Sequence, residues 1–360
     1  MKLGSNSKRR SKEIYAIAGV LILISLGVPV LAPQGSYKNL PSSGTIFYPK
    51  TIELGTWGTP LSAVQYCGDK GTIFVGDKGL SRSWFQGRTV KTYYSGYSDF
   101  EYPTWYPQRP ITAAAIDAIL RTYNSLNQLD WDGFNFLSEE TYRVNIAFEN
   151  GMSRTWFGET LVGWDLYGGT QVAWQEEMFL RMLRGFANWC HSNGKQVGIT
   201  FPYGIGKWNT IEWYFGAGGW NYIKSNYDYI AVYSYTYNMD FFNNETKPYW
   251  AIVDAIPARL HRIAIVTRPW DYSTGKWERE CICLEMKNYL DRGFSCVTFG
   301  YPDSSYPDFN WQQTWNDMLA CVNLWKNNQK YYEYYVTGTN ALTGKTGTIS
   351  YPTQTYGYVS

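Results

Sequence analysis

The chain holds only two histidines in 360 residues, His191 and His261. Both stand just before predicted strands, on the side of a barrel away from its catalytic face. They read as structural, so a histidine base, a Ser-His-Asp triad and a histidine-built metal site are not supported. No two cysteines have the C-x-x-C spacing of a structural zinc site. Charge is also scarce: Asp, Glu, Lys and Arg make up 17% of the chain and the net charge is +2. No basic stripe interrupts the body of the chain, which excludes the electrostatic footprint of a nucleic-acid binder. The expectation is a protein without nucleic-acid partner, metal or cofactor.

What is present is apolar and aromatic. Hydrophobic residues make up 44%, which is globular rather than disordered composition, and aromatics reach 18%, with 32 Tyr and 17 Trp. Tyr and Trp pair a flat apolar face with a polar edge, as ligand grooves and interfaces require. Most of the excess is expected on a Tyr-rich outer surface. The N-terminus carries Lys2, Lys8, Arg9, Arg10 and Lys12 ahead of an uncharged stretch from Ile14 to Ala32. A basic segment before an apolar one is an export signal, and this one is also long enough to span a bilayer. A cleaved signal peptide and an uncleaved N-terminal transmembrane anchor both stand open at residues 1–32. Either places the rest outside the cytoplasm, secreted or at the cell surface. Six cysteines (Cys67, Cys190, Cys281, Cys283, Cys296 and Cys321) are compatible with disulfides there, in pairings the sequence leaves open. Cys296 also reads as a buried thiol in a strand.

Residues 33–60 are rich in Pro, Gly and Ser and read as a linker or arm. From residue 61 onward, short β-rich runs alternate with amphipathic helical runs. Strands are predicted at Ala63–Tyr66, Thr72–Val75, Thr89–Ser95, Gly133–Leu137, Gln196–Tyr203, Tyr229–Tyr235, Arg262–Thr267 and Ser295–Tyr301. Helices are predicted at Ile111–Leu126, Val172–Ser192, Trp208–Ser225, Tyr249–Leu260, Glu278–Arg292 and Trp311–Asn327. In one of them Met178, Met182, Phe186 and Trp189 recur at helical spacing, and Asn193-Gly194 supplies a left-handed cap. This rhythm implies βαβ units and a parallel sheet: an α/β fold, a (β/α)8 TIM-type barrel over 61–328. A Tyr/Thr/Gly-rich, β-like tail follows at 329–360. The loops after the strands are long and aromatic, and on a barrel such loops form the active face.

The richest stretch for chemistry runs from Asp132 to Glu139. Asp132, Phe134 and Phe136 alternate with Gly133, Asn135 and Leu137, as in a strand, and Glu139 falls just past its end. A carboxylic acid among aromatic rings at a barrel mouth is what general-acid cleavage of a glycosidic bond needs, because burial keeps it protonated. On these residues the chain resembles the chitinase-like glycoside hydrolases of family 18. Their signature D-G-x-D-x-D-x-E lies in register over Asp132-Gly133-Phe134-Asn135-Phe136-Leu137-Ser138-Glu139. Further likeness is seen at Ser95-Gly96 and at Tyr227–Thr236, where the family's strand ends M-x-Y-D.

The resemblance implies that Glu139 is the general acid. Tyr235 and Asn135 stand at two other catalytic positions, Asn135 where the family has an aspartate. The family's substrate-orienting aspartate is replaced by Leu137, and Thr236 replaces another. Aromatic side chains near the loops, Trp164, Tyr203, Trp208, Tyr237 and Trp270, together with Asp132, are expected to bind sugar. A second carboxylate is sought among Glu140, Glu149, Asp165, Asp240 and Asp303. The functions that follow are a glycoside hydrolase-like enzyme acting on a polysaccharide or glycan, a non-catalytic glycan-binding barrel, or a structural envelope protein. The partners are then a glycan and, if the signal is not cleaved, a membrane.

Overall fold

The computed structural model describes residues 52–58, 61–77, 79–85, 87–95, 110–136, 142–201, 210–233, 248–266, 270–271, 276–277, 286, 288–290, 292–300, 311–326, 335–339 and 346–350. The chain divides into two units, Met1–Thr45 and Ile46–Ser360. The first unit lies outside the described residues, and so does the proposed export signal. Among the described residues, no helix is long and apolar enough to cross a membrane.

Eight parallel strands close into a barrel: β1 (Glu53–Trp57), β2 (Ile73–Gly76), β3 (Lys91–Tyr94), β4 (Gly133–Asn135), β7 (Gln196–Thr200), β8 (Tyr229–Tyr233), β9 (His261–Val266) and β12 (Cys296–Gly300). Helices α1 (Leu61–Cys67), α2 (Ala113–Leu126), α4 (Gln171–Ser192), α5 (Ile211–Asn226), α6 (Pro248–Asp254) and α7 (Trp311–Lys326) alternate with the strands along the chain. This is the TIM-type arrangement that the sequence rhythm predicts. Between β4 and α4 the chain makes an excursion, an antiparallel pair β5 (Ser153–Trp156) and β6 (Glu159–Val162), then the short helix α3 (Trp164–Tyr167). A second small pair, β10 (Trp270–Asp271) and β11 (Lys276–Trp277), follows β9. The C-terminal tail holds the antiparallel pair β13 (Tyr335–Thr339) and β14 (Thr346–Ser350).

The helices form where their sequences demand it. Thr112 caps α2 by accepting from the Ala115 N–H, and Ile116, Ile119 and Tyr123 are buried along one stripe. In α4, Thr170 caps the start, and Met178, Met182 and Phe186 are buried. Gly194 then takes the left-handed conformation (φ 67°) that ends the helix.

The first two elements differ from the sequence reading. Residues 53–57, expected within an arm, are the first barrel strand and close the barrel by pairing Glu53 with Cys296 and Trp57 with Gly300. Residues 63–66, expected as a strand, lie in helix α1, because Ala63, Val64 and Cys67 fall on one helical face and are buried there.

Each barrel strand sends alternate side chains to two separate cores. Leu54, Phe74, Tyr94, Phe134, Val197, Ile230, Ala264, Val297 and their neighbours face the helices. Trp57, Ile73, Val75, Tyr93, Tyr229, Ala231, Ile263, Ile265 and Cys296 fill the barrel interior. The rings of Tyr93 and Tyr229 meet there at 4.6 Å. Their bulk is admitted by Gly198, where any Cβ would fall inside the Tyr229 ring.

Between α2, α4 and the sheet lies an aromatic cluster of Tyr94, Tyr123, Phe134, Phe157, Phe186 and Trp189, with ring centroids 4.8–6.1 Å apart. The aromatic excess was expected mainly at the surface. Among the described residues it is spent largely on this packing, since fully burying a ring contributes about 1.5–3 kcal/mol. Cys67, Cys190 and Cys296 are buried free thiols. Burial pushes the Cys67 thiol up to about 12, so it is inert near neutrality.

Candidate functional site

The active end of such a barrel is the one where the strands finish, because the long loops leave from there. Asn135 is the last residue of β4 and faces the interior. It is buried, and its side-chain N–H donates to Thr200 Oγ1 on β7 at 3.1 Å. Its Oδ1 is also buried and has no hydrogen-bond partner among the described residues. A buried acceptor without a partner is costly, so this oxygen is positioned to accept from a donor that enters the barrel mouth. Thr298 lies in the same buried interior and donates to the Ala264 carbonyl. The described interior at this end therefore offers these polar side chains beside the apolar Trp57, Val75 and Ile265, and carries no charge.

The connection after β4 packs against helices α2 and α4. The Trp156 indole N–H donates to the Met182 carbonyl, and the Trp174 indole N–H donates to the Val162 carbonyl. Glu159 binds both nitrogens of the Arg184 fork. The guanidinium hydrogen bond holds the Glu159 carboxyl below the usual range, although partial burial opposes it. Trp164 opens α3 on this excursion. It is 49% exposed, and its indole N–H donates to the Gly169 carbonyl. Leu166 and Val172 are exposed beside it in the chain, at 55% and 57%. Trp270 pairs in register with Trp277 in the small pair after β9.

The other expected residues divide as follows. Glu139, Tyr203, Trp208, Tyr235 and Tyr237 lie outside the described residues, as do Glu140, Asp240 and Asp303. Asp132 is described, and its position corrects the expectation of a sugar contact. It precedes β4 and so sits at the opposite end from the loops. Its carboxylate accepts from the Thr92 N–H at 2.7 Å and pairs with Arg82 at 2.7 Å. That carboxylate ties two strands and a surface turn together. Among the candidate second carboxylates, Glu149 accepts from the Ala113 N–H at the start of α2 at 2.6 Å. Asp165 accepts from the Gly151 N–H at 2.8 Å. Both are committed to holding backbone.

The end where the strands begin is charged. Asp228, just before β8, repeats the device of Asp132: it accepts from the Val197 N–H at 2.8 Å and meets His191 Nε2 at 2.9 Å. Glu53, Lys91, Gln196 and His261 each open a strand, on alternate strands of the barrel. Lys91 Nζ lies 2.9 Å from Glu53, His261 Nε2 lies 3.2 Å from the other Glu53 oxygen, and the Tyr93 hydroxyl donates to Gln196 at 2.6 Å. Both histidines thus stand at the end predicted for them. The grouping of Glu53 with His261 was not legible in the sequence, since 208 positions separate them and only barrel closure joins them.

No protein-family model and no curated protein matches the chain. Among solved structures, a match is the N-terminal His-tagged D-allulose 3-epimerase from Methylomonas sp. with additional C-terminal residues. It is 13% identical, covering 78% of this chain and 99% of that one, with a TM-score of 0.40. At that level the likeness says nothing about activity.

Proposed function

We propose that the chain is a carbohydrate-active barrel whose sugar site opens at the end where the strands finish. The observation that carries this reading is Asn135, an inward-facing amide at the end of β4 with one buried oxygen left for a ligand. Its register in the motif that resembles the family 18 hydrolases puts Glu139 four residues further along. Glu139 is the proposed general acid, and Tyr235 the proposed group that stabilises positive charge developing at the anomeric carbon. Tyr203, Trp208, Tyr237, Trp270 and Trp164 are proposed as stacking surfaces for sugar rings.

The uncharged interior beside Asn135 supports assigning the acid to a loop rather than to a strand. The proposed setting is extracytoplasmic, secreted or anchored, supported by the basic-then-apolar N-terminus.

A second reading, a glycan-binding barrel without turnover, is favoured by Leu137, which offers no carboxylate where the resembling family orients its substrate. One experiment separates the two. The full chain and Glu139→Gln are offered a panel of labelled oligosaccharides, including N-acetylglucosamine oligomers, with hydrolysis and binding recorded together. Turnover that falls by at least ~100-fold in the mutant while binding persists supports the enzyme. Binding without turnover in either protein selects the second reading, and no binding by either removes both.

A further inference from the structure

The strand-start end of the barrel holds a second group of side chains, independent of the sugar reading. Glu53, His261 and Cys296 offer a carboxylate oxygen, an imidazole nitrogen and a sulfur that all lie within 4.8 Å of one another. They open β1, β9 and β12, three strands that are adjacent in the order β1-β12-β9. Glu53 is the register partner of Cys296 across the closing seam. Donors at the first residues of packed strands are held more firmly than donors on loops.

We propose that these three residues bind a divalent transition-metal ion, with zinc the best fit, at the strand-start mouth of the barrel. The donor set carries the choice of ion. A carboxylate alone suits calcium or magnesium, but a nitrogen and a sulfur beside it select a softer ion. Three protein ligands leave the fourth tetrahedral position to a water from the mouth. A tetrahedral zinc site holds such donors about 3.3–3.6 Å apart, so small side-chain rotations complete the set.

Each donor has the capacity. His261 Nε2 is buried and makes no hydrogen bond among the described residues, although Glu53 stands 3.2 Å away. Cys296 is not in a disulfide; burial holds its thiol well above the usual range, so the ion binds the thiolate with release of the thiol proton to solvent. Glu53 faces Lys91 as well, with one oxygen at 2.9 Å from Nζ and the other at 3.2 Å. Among the described residues, Lys91 competes with an ion for this carboxylate. Its side chain is 44% exposed on a flexible stem, so it can keep the first oxygen or swing to solvent while the second takes the ion.

The test uses the full-length chain, stripped with chelator and titrated with Co2+ and then Zn2+. The expected result is a near-ultraviolet thiolate-to-cobalt absorption that saturates at one ion per chain and is bleached by Zn2+. Cys296→Ser should abolish the band. His261→Ala should weaken binding by more than the ~10–100-fold that loss of an outer-shell partner costs. Lys91→Met, Cys67→Ser and Cys190→Ser should retain the band. No band in the native chain, or a band that survives Cys296→Ser, overturns the proposal. Should Cys296→Ser fail to fold by circular dichroism, Zn2+ should still raise the melting temperature of the native chain and not that of His261→Ala. No such rise in the native chain also overturns it.

Discussion

At the end where the barrel strands begin, side chains carry charge: Glu53 with Lys91 in the mouth, Asp132 with Arg82, and Asp228 beside His191. Where the strands finish, the described interior offers Asn135, Thr200 and Thr298, all buried and uncharged. The charged groups at the first end are nearly all spent on one another and on backbone N–H groups of the neighbouring strand. At the other end an amide oxygen remains unspent. Any charge that acts on a ligand there must come from the loops beyond the strands. The first end holds the barrel together and the second leaves it open to chemistry, a division that matches how such barrels separate stability from activity.

The wall between the two ends should be the least forgiving. A Cβ on Gly55 would overlap the Ile73 carbonyl oxygen across the β1–β2 pair, where backbone cannot yield cheaply. Gly55→Ala is expected to cost more than ~3 kcal/mol, read from urea unfolding, and a near-neutral result would mean that β1 pairs differently. At the charged end, Asp132→Ala should cost about 1–3 kcal/mol, since it leaves the Thr92 N–H without its carboxylate and Arg82 with Asp130 as its remaining carboxylate partner. Glu139→Gln, by contrast, should leave unfolding free energy unchanged while it removes turnover. If the two substitutions exchange these phenotypes, the division between ends is wrong.

The smallest effect is expected in the connection after β4. The Glu159 carboxyl is held below its ordinary value by Arg184, so its contribution is present above the unfolded pKa and lost as pH falls through the folded one. Glu159→Gln should therefore lower stability by about 0.5–1 kcal/mol at neutral pH and flatten the acid limb of a stability–pH curve. An unchanged acid limb would show that the pair is merely decorative.

The rhythm of strands and helices from Thr72 to Trp311 was legible because helix periodicity and caps are local properties, as with Thr112 and Asn193-Gly194. Strand β1 was not, because five residues with a central glycine sit in a Pro/Gly/Ser-rich setting, and what makes them a strand is the last strand of the barrel. The pair β5–β6 was also missed: its turn relies on Phe157 at φ 44°, which ring packing against Trp156 and Trp189 holds in place. The candidate site was legible only along one strand. Asn135 follows from alternation, whereas Asp132 belongs to the opposite end, because a carboxylate one residue before a strand and one just after it look alike in sequence. Glu53, His261 and Cys296 are joined only by strand order, which no local pattern encodes.

The seam between β1 and β12 also sets a schedule for biosynthesis. The strand that leaves the ribosome first must wait for the one that leaves last, some 240 residues later, before either edge of the sheet is satisfied. Until then the chain carries two open strand edges, the state in which β proteins associate with their neighbours. Glu53 and Cys296 meet in register on that seam, so a spectroscopic signal from the pair during synthesis or refolding would time the moment the circle closes.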